Sequence, residues 1–364
     1  MTPRGRRSVL GSAACLALLA ACTTAPTATP SPSTPAPTSS TPAPPPSFTL
    51  AAGGDILVHP ALTEQADQDG ARDFRPLLAG LRQAVAADVS ICHLETPLSA
   101  PGAPTYGYPA FSAPPEVATA IEDLGYDSCS TASNHTLDRG VDGVVTTLDR
   151  LDAVGLRHTG SYRSAAEAAT PLILDVGGVK VGHVSFTYGF NGIPLPEPWR
   201  ANQLTADGVI AAARAAKAAG AEVVVASLHW GAEYRHEATD EQREIARAVL
   251  ADPAVDLILG THVHAVQPVE RIGGKWVVYG MGNEVARHSE PQGKTEEGVV
   301  VRFRFVKGAT GWAVDEARYV PTLVEFGPPI RVVDLTVAPE SPRRVEALGR
   351  TDSVVLSLGA PISR

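Results

Sequence analysis

Cysteine, clustered positive charge and long apolar runs are scarce in this sequence, and each scarcity excludes something. Only four cysteines occur in 364 residues, and two of them, Cys15 and Cys22, fall in a targeting segment. The remaining pair, Cys92 and Cys129, can close at most one disulfide. No run of Lys or Arg follows the first few residues, and the formal net charge is -9. Nothing therefore supports binding to nucleic acid through bulk charge, and any polyanion would have to be met locally, for instance by bound metal. The one markedly apolar stretch, VLGSAACLALLAA near the N-terminus, is too short to be a comfortable transmembrane helix. No internal repeat of fixed period is visible.

That apolar stretch belongs to an export signal. Arg4, Arg6 and Arg7 form a basic segment ahead of it, and it ends in Leu19-Ala20-Ala21-Cys22. Small residues before a cysteine match a lipoprotein cleavage box, so Cys22 is expected to carry lipid. The Arg6-Arg7 pair suggests the twin-arginine export route. Several acyl chains would hold the protein to the outer face of the cell membrane. Residues 23–47 are dominated by Pro, Thr, Ser and Ala, cannot bury enough surface to offset their ordering entropy, and read as a disordered spacer. The expected organisation is a signal peptide with its lipobox cysteine over 1–22, the spacer over 23–47, a domain over 48–335 and a C-terminal extension over 336–364.

From Phe48 the pattern alternates strands and helices. FTLAAGGD, DVSICHLE, AEVVVASLHWG and VDLILGTHVH read as buried strands, and YDSCSTASNH as a strand running into a polar loop. Between them, FRPLLAGLRQAVAA, PPEVATAIEDLG, VDGVVTTLDRLDAVG, TADGVIAAARAAKAAG and TDEQREIARAVLADP have helical spacing. The last of these opens with a capping box from Thr239 to Gln242. Such alternation argues for an α/β domain. Cys92 and Cys129 each lie near a strand end in an oxidising compartment. They form a disulfide if those strands are neighbours, and otherwise are two buried thiols.

The chemistry gathers at strand ends. Asp55 follows the first strand, Glu95 the second, and Asn134 with His135 the third, while His229 and then His262 with His264 close two later ones. In open α/β sheets the carboxyl ends of the strands are where ligands bind. Each residue alone has an ordinary explanation as a turn, cap or packed core residue, but core residues do not cluster at one end of every strand. Carboxylate, amide and imidazole donors together suit Zn, Mn or Fe better than Ca or Mg. Six or so donors suit two divalent ions that share a carboxylate.

The series GGDILVHP, HLETPLS, FSAPPE, TASNHTLDRGVDG, FTYGFNG, SLHWGAEY, GTHVHAVQPVE and YGMGNE, from about Thr49 to Val285, resembles the bacterial capsule-synthesis CapA family. That family is implicated in poly-γ-glutamate biosynthesis and is built on the calcineurin-like metallophosphatase fold. The resemblance implies a four-layer αββα sandwich for the 48–335 domain. It also implies that Asp55, Glu95 and His264 bind one metal and Glu95, Asn134, His229 and His262 the other, with Glu95 bridging. His135 would stand just outside the metals as the catalytic acid or transition-state stabiliser. The substrate would be a phosphoester or an anionic polymer, with a membrane capsule-synthesis complex as partner. A non-catalytic accessory role in binding, anchoring or exporting poly-γ-glutamate is the alternative. The chain departs from the pattern in three places. Leu57 stands where phosphatases of this superfamily carry the histidine of Asp-x-His, so His59 or water would have to supply a ligand. Glu95 replaces an aspartate, and Glu284 replaces the aromatic residue that ends the YSLGNF pattern. Asp138 either caps the following helix, the commoner use of an aspartate there, or orients His135.

Overall fold

In the computed structural model, residues 22, 45–68, 70–288 and 292–364 are described. Except for Cys22 and residues 45–47, the expected leader and spacer lie outside them. Four parallel strands, β1 (Ser47–Ile56), β2 (Val89–Leu94), β3 (Ser128–Ser130) and β4 (Arg157–Thr159), form the middle and one edge of a first sheet. The hairpin of β5 (Leu172–Val176) and β6 (Val179–Thr187) begins a second sheet. It continues through β7 (Val223–His229), β8 (Leu257–Thr261), β9 (Val269–Ile272) and β10 (Lys275–Val278). The chain then returns to the first sheet. There β11 (Asn283–Val285) pairs parallel with β1, and β12 (Glu297–Gly308), β13 (Gly311–Glu325) and β14 (Arg331–Asp334) extend it antiparallel.

Alternation along the strands sets the layers, because successive side chains point to opposite faces. Leu50 and Ala52 of β1, Val89 and Ile91 of β2, Val223 and Val225 of β7, and Leu257 and Leu259 of β8 share one core between the two sheets. The alternate residues face helices. Ala51, Cys92 and Leu94 pack under α1 (Pro60–Ala66), α2 (Glu116–Leu124) and α3 (Gly140–Ala153). Val224, Ala226 and Ile258 pack under α4 (Ala206–Ala218) and α5 (Asp240–Ala251). Both sheets are thus covered on both faces, which is why their strands read as continuous apolar runs. The arrangement is the four-layer αββα sandwich that the sequence led us to expect.

Three local outcomes differ from, or resolve, the sequence reading. The 74–87 run is not one helix but three short turns, Arg75–Leu78, Ala79–Leu81 and Arg82–Val85. At Gly80 the chain passes so close to β14 that a Cβ would collide with the Val332 carbonyl. Cys92 and Cys129 stand opposite each other on adjacent strands β2 and β3 and are disulfide-bonded across a separation of 37 residues. Closing a loop of that length restricts the unfolded chain by about 3–4 kcal/mol. In the C-terminal stretch, α6 (Pro342–Val355) places Ala347 against Leu323 and Leu335, and Val355 in the inter-sheet core.

Candidate metal centre

The carboxyl ends of β1, β2, β3, β7 and β8 meet at one lip. Strand register does much of the positioning: Asp55 lies opposite His93 across β1 and β2, and His229 lies opposite Thr261 across β7 and β8. The sharp approach of β1 to β11 requires the glycines of AAGGD, since a Cβ on Gly54 would strike the Gly282 carbonyl. The GTHVH loop then folds back over Asp55. The His262 backbone N–H donates to both Asp55 carboxylate oxygens, at 3.1 and 3.2 Å.

Among the described residues, the non-glycine residues with positive φ are Asn191, Tyr234, His262 and His264. All four border this lip or the cavity beside it. Left-handed backbone costs an L-residue on the order of 1–3 kcal/mol and persists where the surroundings over-determine it, typically at functional sites.

The residues singled out in the sequence come together here. His264 Nδ1 lies 3.5 Å from Asp55 Oδ2 and its Nε2 lies 3.6 Å from Glu95 Oε1. His229 Nε2 lies 4.0 Å from the same Glu95 oxygen and 2.9 Å from Asn134 Oδ1. The His262 ring is 4.7 Å from that of His229. Among the described residues, two groups have donor atoms that all lie within 4.8 Å of one another, Asp55–Glu95–His264 and Asp55–His93–His229. Asp55 is therefore common to both groups. His93 and Asn283, whose Oδ1 accepts from His264 Nδ1–H at 2.9 Å, were not anticipated. Within DVSICHLE, His93 reads as one more buried strand position, and only the register reveals its neighbour.

Burial and charge explain the protonation of the set. Burial drives His262 down to about 3 and His93 down to about 4, and it holds His229 well below the usual imidazole range, so all three are neutral. Neutral imidazole is the form that binds metal. Burial pushes Glu95 well above the usual carboxylate range, opposed by His264 and reinforced by Asp55. Burial also works against the charged form of Asp55, but its bond to His264 and the nearby imidazoles hold it below the ordinary value. Burial works against the charged form of His264 too, but Glu95 and Asp55 outweigh it and raise it to about 10, and a bound divalent ion would displace that proton.

Among the described residues, both Glu95 oxygens, His262 Nδ1 and His93 Nε2 are buried without a hydrogen-bond partner. Unsatisfied buried polar atoms are costly, and such a convergence of oxygen and nitrogen donors fits divalent cations.

Three further residues are resolved by the structure. Asp138 does not cap α3, whose N-cap position is Arg139. Instead its carboxylate lies 2.7 Å from His135 Nδ1 and accepts from the Phe111 backbone N–H at 2.7 Å, so it orients His135. The peptide of Arg139 intervenes before the helix begins, which leaves the Asp138 side chain free to turn toward the cavity. His59 lies outside both donor groups, with its ring 4.8 Å from that of His288 and 5.6 Å from that of Phe111. Glu284 faces the helical layer and accepts from the Tyr126 hydroxyl at 2.6 Å. A cavity of about 1340 Å3 opens beside the lip, lined by His59, His135, Asn134, Tyr234, Arg287 and His288 among others.

Comparison with known proteins agrees with this picture in its family assignment. A family model described as bacterial capsule synthesis protein PGA_cap matches residues 49–288. The chain is 29% identical over 198 residues to the PGA biosynthesis protein CapA of Bacillus subtilis, covering 54% of this chain and 51% of that protein. It is 26% identical over 204 residues to the capsule biosynthesis protein CapA of Bacillus anthracis, covering 55% and 49%. The chain spans about half the length of these curated relatives. Among solved structures, it is similar to the calcineurin-like phosphoesterase YfkN from Bacillus subtilis at 15% identity and a TM-score of 0.48, covering 85% of this chain and 98% of that one.

Proposed function

The chain belongs to the bacterial capsule synthesis protein family, and on that premise we propose that it is an exported, lipid-tethered protein of capsule or poly-γ-glutamate metabolism whose lip binds two divalent ions and hydrolyses a phosphoester. The observation that carries the reading is the convergence of Asp55, Glu95, Asn134, His229, His262 and His264, with Glu95 and His262 presenting buried atoms that have no protein partner. Asp55, Glu95 and His264 would hold one ion, and Glu95, Asn134, His229 and His262 the other. Bound divalent ions would lower the pKa of water from roughly 15.7 toward about 7 and so supply a nucleophile at neutral pH.

The remaining residues position and exchange protons. Asp138 accepts the Nδ1–H of His135 and fixes the ring so that Nε2 is the nitrogen available to a substrate in the cavity. Protonated at Nε2, His135 can donate to the leaving oxygen, with Asp138 stabilising the imidazolium. Edge-on packing of His135 against Phe111, with ring centroids 4.8 Å apart, holds the same orientation.

His135→Ala is expected to lower turnover of an aryl phosphate with added Mn by about 10²–10⁴-fold while the metal content stays unchanged. Retained turnover in that variant would remove His135 from the reaction. The competing reading is an accessory protein that meets the carboxylates of poly-γ-glutamate through the same ions. It is favoured by Leu57, which packs against Phe111 and Ala286 and offers no donor at the phosphatase position. Metal retention with polymer binding, and no turnover of phosphate or peptide substrates by the wild type, would select it.

A further inference from the structure

We propose that His93 is a direct ligand in this centre, supplying beside Asp55 the nitrogen donor that the segment following Asp55 lacks. The inference rests on reading the lip as a divalent-metal site. His93 is fully buried near the end of β2 and is paired in register with Asp55. Its Nε2 lies 3.8 Å from Asp55 Oδ1, too far for a hydrogen bond. Its ring stacks on that of His229 with centroids 4.7 Å apart, and the donor atoms of Asp55, His93 and His229 lie within 4.8 Å of one another.

Hydrogen bonding assigns the free nitrogen. His93 Nδ1 is 2.7 Å from Ser130 Oγ, and that hydroxyl is 3.3 Å from the Cys92 carbonyl oxygen, to which it can only donate. With its proton directed to Cys92, Ser130 accepts from Nδ1–H of His93. The Nε2 lone pair is then left beside Asp55 and His229 with no protein partner. A ligating histidine is commonly held in this way, through a hydrogen bond from its other ring nitrogen.

The fold contains its own contrast. His183, equally buried on β6, has both ring nitrogens bonded, to Ser128 Oγ at 3.0 Å and Ser227 Oγ at 2.9 Å. That is what a structural histidine between the two sheets looks like. His93 differs by keeping one nitrogen unpaired at the lip.

The test uses the full chain labelled with ¹⁵N-histidine and loaded with ¹¹³Cd(II). Four histidines, His93, His229, His262 and His264, are expected to show ¹⁵N–¹¹³Cd coupling. In parallel, His93→Gln is expected to weaken one of the two Co(II) equivalents by more than about 100-fold, beyond the ~10–100-fold that loss of an outer partner costs, and to change the visible Co(II) spectrum. The wild-type coupling measurement does not depend on the folding of the variant. Coupling from His229, His262 and His264 but not from His93 would overturn this inference and leave the metal site standing, and it is the result if Nε2–H instead points at Asp55. A wild type that binds neither Cd(II) nor Co(II) would overturn the metal-site reading on which the inference rests.

Discussion

Glu95→Gln is expected to reduce bound divalent metal from two equivalents to none and to abolish turnover. Glu95 is completely buried, both of its oxygens lack partners, and burial raises its pKa well above the usual range. A carboxylate in that position is unfavourable in the metal-free protein, where only His264, 3.6 Å away, provides compensation. Divalent ions reverse the balance by supplying the missing opposite charge. An amide of the same shape removes the charge that both ions share. Elemental analysis after dialysis measures the stoichiometry directly. Unfolding in denaturant gives an independent readout, because a ligand at a hundred times its Kd stabilises the folded state by about 2.7 kcal/mol. Added Mn should raise the midpoint of the wild type and leave that of Glu95→Gln unchanged. A variant that still holds both ions would remove Glu95 from its bridging position.

Glu284→Gln is expected to flatten the pH dependence of stability. Burial raises the Glu284 carboxyl to about 8, partly offset by the hydrogen bond from Tyr126, and its Oε1 has no partner. A carboxyl whose folded pKa lies above its unfolded value contributes stability that is fully present below the unfolded value of about 4.3. That contribution is lost as pH rises through the folded value. At about 1.4 kcal/mol per pH unit, the wild type should lose on the order of 4 kcal/mol between pH 4.5 and pH 8 through this one group. The glutamine variant can still accept from Tyr126 but has no proton to lose. Denaturation midpoints of the two proteins should therefore converge near pH 4.5 and separate steadily toward pH 8, with the variant the more stable. Parallel curves across that range would show that Glu284 does not titrate as its surroundings imply.

The sequence made the layers and most of the lip legible for a physical reason. A doubly covered sheet forces its strands to be apolar throughout, so a carboxylate, amide or imidazole at the end of such a run stands out. Asp55, Glu95, Asn134, His229, His262 and His264 were visible in this way. His93 was not, because one polar residue inside SICHL looks like an ordinary buried histidine until β1 and β2 are placed in register. The disulfide depended on the same information, since only the pairing of β2 with β3 sets Cys92 opposite Cys129. Asp138 misled because the local rule that aspartates before helices act as caps competes with a tertiary partner, His135, that lies within bonding distance. The helical periodicity of 74–87 was real, but the run forms three short turns, with β14 passing close to Gly80 in the middle one.

The most direct measurement is anomalous diffraction from crystals of the protein grown with Mn or Zn, recorded at the absorption edge of the metal. Two peaks are expected at the lip, roughly 3.5–4 Å apart as in other two-metal sites, with Glu95 between them and Asp55, His229, His262 and His264 around them. A map without density at this lip, or with its metal elsewhere in the molecule, would contradict the central claim.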